Sequence, residues 1–251
     1  PISVSLWWLL DLPTENTYNR VSMKPIRIAV AGVGNCASSL LQGIQYYANA
    51  PAANGSVVRG LLHPRVGPYA PADIKVVAAF DVDARKVGKP LEAACVALPN
   101  CTAKFVKRFP RYGVSVRMGP VLDGVAPHMR QYPSAQTFVV AKAKPANVAR
   151  ALKESRTEIL LNYLPVGSQQ ATEAYAEACL ETGVSLINCI PVFIASDRRW
   201  AARFAQRGIP LIGDDVKSQV GATMLHRTLV RLFMERGAAI DRTYQLNVGG
   251  N

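Results

Sequence analysis

Two glycines and an alanine stand in the order Gly32-x-Gly34-x-x-Ala37, directly after an apolar run at residues 26–30. In dinucleotide-binding proteins the first glycine permits a tight turn and the second lets the backbone approach a pyrophosphate. The small third residue lets the next helix pack closely on the strand. The free N–H groups at that helix N-terminus add positive partial charge. The pattern favours a dinucleotide site, and a tight turn without a ligand is the alternative for so short a motif.

An acidic residue, Asp81, ends the next buried run at residues 74–80. An acid in this position of a dinucleotide site binds the adenine ribose. Asp81 lies much further from Gly34 than the usual spacing of about 20 residues, and a Gly-, Pro- and Ala-rich loop at 49–72 accounts for the excess. A carboxylate here favours NAD over NADP, because it would repel a 2′-phosphate. Its neighbour Asp83 is predicted to be a solvated residue at the start of a helix.

Three further loops that follow apolar runs contain residues able to meet a ligand. The loop at 213–219 contains Gly213-Asp214-Asp215-Val216-Lys217-Ser218-Gln219 and precedes a long amphipathic stretch. Ser218 is a residue type that caps a helix, whose free N–H groups would face an anion such as a phosphate, and Lys217 would add a positive charge. A capped helix with solvated charges explains these residues equally well. The loops at 164–168 and 189–191 would line a ligand crevice, or are ordinary tight turns.

The hydrophobic pattern predicts a scaffold that brings such loops together. Strand-like apolar runs alternate with helical patterns along the chain, which indicates a parallel sheet covered on both faces. The predicted fold class is therefore α/β, a doubly wound, Rossmann-like parallel sheet followed by the beginning of a second α+β domain. Strands are predicted at 26–30, 74–80, 158–163, 184–188 and 209–212, and helices at 40–47, 82–97, 147–155, 169–182, 198–207 and 218–236.

The two ends of the chain decide the predicted domain organisation. Residues 1–22 contain a short apolar run without the basic start or the cleavage site of a signal peptide, so we predict a disordered upstream extension there. Residues 23–195 are predicted to form an NAD-binding domain. Residues 196–251 are predicted to begin a second domain. A strand-like run at 242–251 closes the chain, and from it a C-terminal truncation is predicted.

The composition excludes several classes of protein. The chain has 251 residues, 49% of them hydrophobic, and no low-complexity repeat, which excludes intrinsic disorder, collagen and coiled coil. The sequence contains no apolar run of about eighteen residues, the length that would predict a membrane-spanning helix. Five cysteines without a C-x-x-C pair and three dispersed histidines indicate neither disulfides nor a metal site, and favour a cytoplasmic protein. The net charge of +12 is thinly spread, so neither nucleic acid nor membrane is predicted as a partner.

Taken together, these segments resemble the myo-inositol-1-phosphate synthase (inositol-3-phosphate synthase) family in its bacterial, actinobacterial form. The resemblance extends over residues 26–251 and is carried by IRIAVAGVGNCASSL, VVAAFDVDARKVGKPL, LNYLPVGSQQATEAYAEACLETGVSLINCIPVFIAS, GDDVKSQVGATMLHRTLV and YQLNVGGN. The last two stretches are the most specific, because ordinary dehydrogenases lack them.

The resemblance implies an isomerase that converts D-glucose 6-phosphate into 1D-myo-inositol 3-phosphate, in inositol and phospholipid biosynthesis. Such enzymes use NAD in an oxidation, an enolisation, an intramolecular aldol step and a reduction, so there is no net redox change. The family forms homotetramers, and the resemblance implies that residues 196–251 begin its catalytic and tetramerisation domain, which would be incomplete here. The alternatives are a conventional NAD-dependent dehydrogenase of a polyol or sugar phosphate, and a non-catalytic NAD-binding fragment.

The resemblance also implies roles for individual residues. The cofactor-binding residues would be Gly32, Val33, Gly34, Asn35, Cys36, Ala37, Asp81, Pro165, Asn188, Pro191 and Asp215. The substrate-binding residues would be Lys217, Ser218, Gln219, Thr223, Asn247 and Asn251, and the catalytic residues Asp215 and Lys217. The family's oxyanion-stabilising lysines come mainly from a segment after the position of Asn251, so the active site of this chain is predicted to be incomplete.

Overall fold

The strands of this protein form one sheet, which has six strands within the described part of the chain. The computed structural model describes residues 24–48, 60–125, 127–216 and 221–246. The strands are β1 (Ile26–Ala31), β2 (Ile74–Asp81), β3 (Arg117–Met118), β4 (Ile159–Asn162), β5 (Ser185–Asn188) and β6 (Leu211–Ile212). The helices are α1 (Asn35–Ala48), α2 (Leu91–Ala94), α3 (Val148–Glu154), α4 (Gln169–Thr182), α5 (Arg198–Gln206) and α6 (Ala222–Glu235). Short 3₁₀ turns occur at Pro71–Asp73 and Pro127–Gln131.

The order of the strands is that of a doubly wound dinucleotide-binding fold. All neighbouring strands are parallel, and they follow one another as β3-β2-β1-β4-β5-β6. The winding direction reverses between β1 and β4, where the loops diverge and open a crevice. Ala31 of β1 pairs with both Phe80 of β2 and Asn162 of β4, so three strands end at one level beside this crevice. The predicted doubly wound α/β fold is confirmed.

Strand β1 is buried on both of its faces. Ile28 and Val30 belong to one hydrophobic cluster with Leu41 of α1, whereas Ala29 and Ala31 belong to a second cluster with residues of α4. Because successive residues of a strand point to opposite faces of the sheet, a continuous apolar run requires cover on both sides. Helices α1 and α2 cover one face, and α3, α4 and α5 cover the other.

Local signals place several helix ends. Helix α4 has the predicted bounds, and Gly183 at its C-cap has φ 75° and donates its N–H to the Cys179 carbonyl. A left-handed residue in this position is usually glycine. Helix α5 begins after Asp197, whose carboxylate accepts the N–H groups of Arg199 and Trp200. This cap satisfies two of the donors that a helix N-terminus leaves without intrahelical partners.

The prediction of a helix at 82–97 is wrong. Residues 84–88 form turns, and α2 is a single helical turn. Two residues explain the difference. Gly88 adopts a left-handed φ of 78°, and Pro90 cannot donate the hydrogen bond that a helix interior requires. The chain therefore leaves β2 as a compact turn rather than as a long helix.

The predicted solvation of Asp83 is also wrong, because this residue is buried. Its carboxylate accepts hydrogen bonds from the Arg85 side chain and from the Val139 N–H at 3.0 Å. Arg85 in turn donates to the Ser134 and Thr137 carbonyls. Burial raises the pKa of Asp83, but the hydrogen bonds from Arg85 and the backbone outweigh it and hold the pKa below its ordinary value. The pair ties residues 134–139 to the turn after β2.

The sheet continues beyond residue 195, which is the predicted end of the NAD-binding domain. Strand β6 pairs with β5, and Phe204 and Ile209 lie in the same core as β4. We propose that this domain extends at least to residue 212. The run at 242–251 is not a strand over 242–246, and its remainder, like the extension at 1–22, lies outside the described residues. No helix in the described ranges is long and apolar enough to cross a membrane.

A carboxylate from a distant loop holds the N-terminus of α4. Asp123 accepts the N–H groups of Gln170 at 2.7 Å and of Ala171 at 3.0 Å. Anions at this end of a helix are stabilised by the exposed N–H groups and by the helix dipole. Asp123 therefore ties the loop after β3 to the helix after β4.

We expect Asp123→Ala to lower the free energy of unfolding by about 1 kcal/mol, because two helix donors lose their acceptor. Urea unfolding followed by circular dichroism measures the change. Asp241→Ala, which removes a side chain that is 94% exposed, is the control and should stay within about 0.5 kcal/mol of the unaltered chain. Equal losses in both variants would contradict the capping role.

Candidate functional site

The turn after β1 is built around a close approach between two backbone segments. Gly32 has φ +88°, and its N–H donates to the Phe80 carbonyl at 2.8 Å. A Cβ at Gly32 would stand 2.5 Å from the Tyr163 carbonyl oxygen, far inside van der Waals contact. Both the dihedral angle and the space therefore require glycine at this position.

The second glycine of the motif faces open space. A Cβ added at Gly34 would meet no atom within 4 Å, although the turn is packed tightly on its other side, where Val33 is fully buried. Helix α1 begins at Asn35, and the first N–H groups of a helix have no intrahelical partners. This combination of open space and exposed donors fits a pyrophosphate.

The remaining residues of the motif divide into packing and surface positions. Ala37 is buried against the sheet, as expected for the small residue that allows close helix packing. Cys36 is exposed. Asn35 turns its amide to a neighbouring loop, where its Oδ1 accepts the Cys101 N–H at 2.8 Å and the Thr102 hydroxyl at 3.0 Å. Its side chain thus holds the loop and leaves the backbone to face the open space.

Asp81 lies beside the glycine-rich turn, as the sequence predicts. Its Oδ2 accepts the Val33 N–H at 2.8 Å, and its Oδ1 accepts the N–H groups of Val82 and Asp83. Only 10% of the side chain is exposed. The carboxylate therefore joins the end of β2 to the turn after β1. The sequence did not predict this second role, because the two segments are distant along the chain.

A buried lysine, Lys86, lies beneath the same turn and was missed by the sequence interpretation. Its ammonium group donates to the Val33 carbonyl and to Asn100 Oδ1, each at 2.8 Å, and lies 3.8 Å from Asp81 Oδ2. Burial lowers the pKa of Lys86, and the carboxylates of Asp81 and Asp83 act against this shift. The only signal for this residue is a lysine shortly after the acid, which the predicted helix at 82–97 obscured.

A chain of buried polar side chains crosses the ends of β4, β5 and β6. Asn162 donates to Asn188 Oδ1 at 2.8 Å, and Asn188 donates to Asp214 Oδ1 at 2.8 Å. The Asn188 amide also reaches the carbonyls of Ile190 and Val192. Asn188, predicted to contact the cofactor, therefore uses its side chain within the protein to shape the loop after β5.

Asp214 is the acid at the end of this chain. Its carboxylate accepts three backbone N–H groups, from Ile194, Ala195 and Ser196, besides the Asn188 amide. Burial raises its pKa, but the hydrogen bonds from Asn188 and the backbone prevail and hold the pKa below its ordinary value. Asp214 is therefore ionised at neutral pH and fixes the loop at 194–196.

The other predicted residues lie at different distances from this centre. Asp215 follows Asp214, has φ 70° and donates its N–H to the Ile190 carbonyl at 3.2 Å, so its backbone lies beside the loop after β5. Pro165 and Pro191 are exposed in the loops after β4 and β5. Thr223 is exposed in the first turn of α6, a helix without buried side chains. Five predicted substrate residues lie outside the described ranges: Lys217, Ser218, Gln219, Asn247 and Asn251.

Two polar side chains near the crevice do not act as ionised groups at neutral pH. Burial raises the pKa of the Cys189 thiol to about 11 and raises the pKa of its neighbour Tyr163 above its ordinary range. The thiolate is the reactive form of cysteine, and the raised pKa disfavours this form of Cys189 at neutral pH. Among the described residues, no group of three or more His, Cys, Asp or Glu side chains forms a possible metal site.

Comparison with known proteins confirms the resemblance seen in the motifs. A family model described as myo-inositol-1-phosphate synthase matches residues 221–251. A Corynebacterium glutamicum protein named inositol-3-phosphate synthase is 50% identical over 231 residues, which are 92% of this chain and 61% of that protein. A Mycolicibacterium smegmatis protein of the same name is 50% identical over 226 residues, 90% of this chain and 60% of its own. The chain thus spans about three-fifths of the length of these relatives.

Solved structures support the fold. The crystal structure of Ari2 is similar to this chain with a TM-score of 0.71 and 37% identity, over 85% of this chain and 61% of Ari2. A myo-inositol-1-phosphate synthase-related protein from Thermotoga maritima gives a TM-score of 0.61 at 20% identity, over 85% of this chain and 60% of that protein. At that identity the second similarity shows the fold alone.

The two glycines of the turn should respond differently to the same substitution. We expect Gly32→Ala to lower the free energy of unfolding by at least about 2 kcal/mol, because the new Cβ is strained and overlaps a carbonyl. Gly34→Ala adds the same methyl group to open space and should change the free energy of unfolding by less than about 0.5 kcal/mol. Urea unfolding measures both, and a stable Gly32→Ala variant would contradict the turn geometry.

The lowered pKa of Asp214 predicts a pH-dependent contribution to stability. The carboxylate stabilises the fold fully above its ordinary value of 3.8, and the contribution is lost as the pH falls through the lower pKa of the folded state. Asp214→Asn should therefore lower the free energy of unfolding by about 2 kcal/mol at pH 7. The loss should become progressively smaller as the pH falls below 3.8. Urea unfolding at neutral and acidic pH tests this, with Asp215→Asn as the control. A cost that does not depend on pH would refute the role of the charge.

Proposed function

We propose that this chain forms the NAD-binding part of an inositol-3-phosphate synthase, which isomerises D-glucose 6-phosphate to 1D-myo-inositol 3-phosphate. The observation that carries the proposal is the turn at the β1–β4 crevice, where Gly34 faces open space and Asp81 lies directly beside it. The 50% identity to proteins named for this activity supports the choice of reaction.

The residues of the turn suit NAD in particular. The backbone at Gly34, Asn35 and Cys36 would hold the pyrophosphate at the N-terminus of α1. Asp81 would accept the hydroxyl groups of the adenine ribose and repel the 2′-phosphate of NADP. Pro165 and Pro191 lie in exposed loops that follow the central strands and would border the nicotinamide side. When bound, NAD supplies a reversible acceptor and donor of hydride.

The sugar phosphate would be held on the β6 side of the crevice. Asp215 lies in the loop after β6, against the loop after β5. This position supports a role for Asp215 between the proposed cofactor and substrate sites. We propose Asp215 and Lys217 as catalytic residues that hold or move a proton at the reacting sugar. The proposed substrate contacts are Lys217, Ser218, Gln219, Thr223, Asn247 and Asn251.

The remaining properties of the protein are proposed from the same relatives and from its chemistry. We propose a homotetramer for the whole protein and a role in inositol and phospholipid biosynthesis. All five cysteines are free thiols, which suits the reducing conditions of the cytoplasm. No residue role requires nucleic acid or a membrane as a partner.

Calorimetry and a turnover assay test the proposal together. We expect NAD to bind to the 251-residue chain, NADP to bind at least about tenfold more weakly, and Gly34→Ala to weaken NAD binding by about tenfold without loss of stability. Conversion of glucose 6-phosphate to inositol phosphate with catalytic NAD is measured for this chain and for the Corynebacterium relative as positive control.

The outcomes separate the possible functions. Inositol phosphate formed without accumulation of NADH supports the synthase. Net accumulation of NADH with a polyol or sugar phosphate would indicate a conventional dehydrogenase, for which the same turn geometry would serve. NAD binding without turnover, beside an active relative, would identify a binding part without the complete active site. Absence of NAD binding would refute the proposed cofactor site.

A further inference from the structure

Lys86 occupies a position in which a charge is costly. Its side chain is 4% exposed, and its ammonium group lies beneath the glycine-rich turn. An apolar side chain would fill this volume without desolvating a charge, and buried ion pairs are often no more stabilising than such a replacement. The contacts of the ammonium group therefore need an explanation other than stability alone.

One contact fixes the orientation of a peptide group. The Val33 carbonyl accepts hydrogen bonds from Lys86 Nζ at 2.8 Å and from Asn100 Nδ2 at 3.0 Å, so it points into the protein. In a planar trans peptide the carbonyl and the following N–H point in opposite directions. The N–H of Gly34 therefore points away from Lys86 and Asn100. A Cβ at Gly34 would meet no atom within 4 Å, so the space beside this residue is open as well.

A second contact acts on the acid of the site. Asp81 Oδ2 accepts the Val33 N–H at 2.8 Å and lies 3.8 Å from Lys86 Nζ. Val33 is thus held through both of its backbone groups, one by the carboxylate and one by the ammonium group, and these two charges face each other. Displacing the ammonium group would remove one of the two donors to the Val33 carbonyl. It would change the electrostatic environment of the carboxylate at the same time.

We propose that Lys86 is a positioning residue of the dinucleotide site, which aims the Gly34 N–H at the pyrophosphate and holds the Asp81 carboxylate in place for the adenine ribose. The proposal rests on the proposed binding of NAD. It assigns Lys86 no contact with the ligand, because its ammonium group is directed to Val33, Asn100 and Asp81.

The test is calorimetric binding of NAD to the whole 251-residue chain and to variants whose folded state is verified by thermal unfolding. Lys86→Met keeps the length of the side chain and removes its charge and donors, and it should raise Kd about tenfold. Lys89→Met is the control. It removes the same charge from an exposed lysine in the segment after β2, and it should change the Kd for NAD by less than about twofold.

A double-mutant cycle distinguishes positioning from general loosening of the fold. If Lys86 acts partly through Asp81, Lys86→Met should weaken binding by about threefold or less in an Asp81→Asn background, so the two effects are not additive. A change in thermal stability with the Kd for NAD unaltered, or fully additive effects, would overturn the proposal. If the unaltered chain binds no NAD, the proposed function itself fails, which is a different result.

A second variant keeps the test decisive if Lys86→Met does not fold. Asn100→Ala removes one acceptor of the ammonium group and the other donor to the Val33 carbonyl. We expect it to raise the Kd for NAD about threefold or more. An unchanged Kd in the folded Asn100→Ala protein would overturn the proposal as well.

Discussion

The hydrogen bond from the Val33 N–H to the Asp81 carboxylate joins the two parts of the proposed dinucleotide site, the glycine-rich turn and the end of β2. Gly32 can turn there only because it has no Cβ between β1 and the Tyr163 carbonyl. The turn then presents the Val33 N–H to the end of β2, where Asp81 accepts it. The position of the acid and the shape of the turn are therefore one property of the structure. A change in either would displace both the proposed pyrophosphate site and the proposed ribose site.

The same requirement extends along the whole carboxyl edge of the sheet. Strand ends expose polar groups, and buried polar groups must be hydrogen-bonded. Asn162, Asn188 and Asp214 are joined by hydrogen bonds at the ends of β4, β5 and β6. Near β1 and β2, Asp81 accepts the Val33 N–H and Lys86 donates to the Val33 carbonyl. These side chains shape the loops from beneath. The surface proposed to face the ligand is left to backbone groups and to exposed residues such as Pro165 and Pro191.

The parts of this arrangement that depend on local sequence could be predicted, and those that depend on distant contacts could not. Apolar runs and glycine positions were sufficient for the doubly wound parallel sheet, for the turn at Gly32 and for the end of α4 at Gly183. The burial of Asp83 depends on Arg85 and Val139, which meet it only because a distant loop returns to β2. The internal roles of Asn188 and Lys86 were missed for the same reason, since a polar side chain shows its partners only in the folded chain.

The two halves of the proposed site differ in how strongly the described structure positions them. Val33 packs in the hydrophobic cluster that includes Leu41 of α1. Hydrogen bonds join Gly32 to the Phe80 carbonyl and Val33 to Asp81. Thr223 stands on α6, whose apolar residues, including Leu225 and Leu229, are exposed in the described structure. Most helices in proteins gain their stability from packing of an apolar face. The cofactor half can therefore keep its geometry through the sheet alone, whereas a substrate group on α6 keeps its position only while that apolar face is covered.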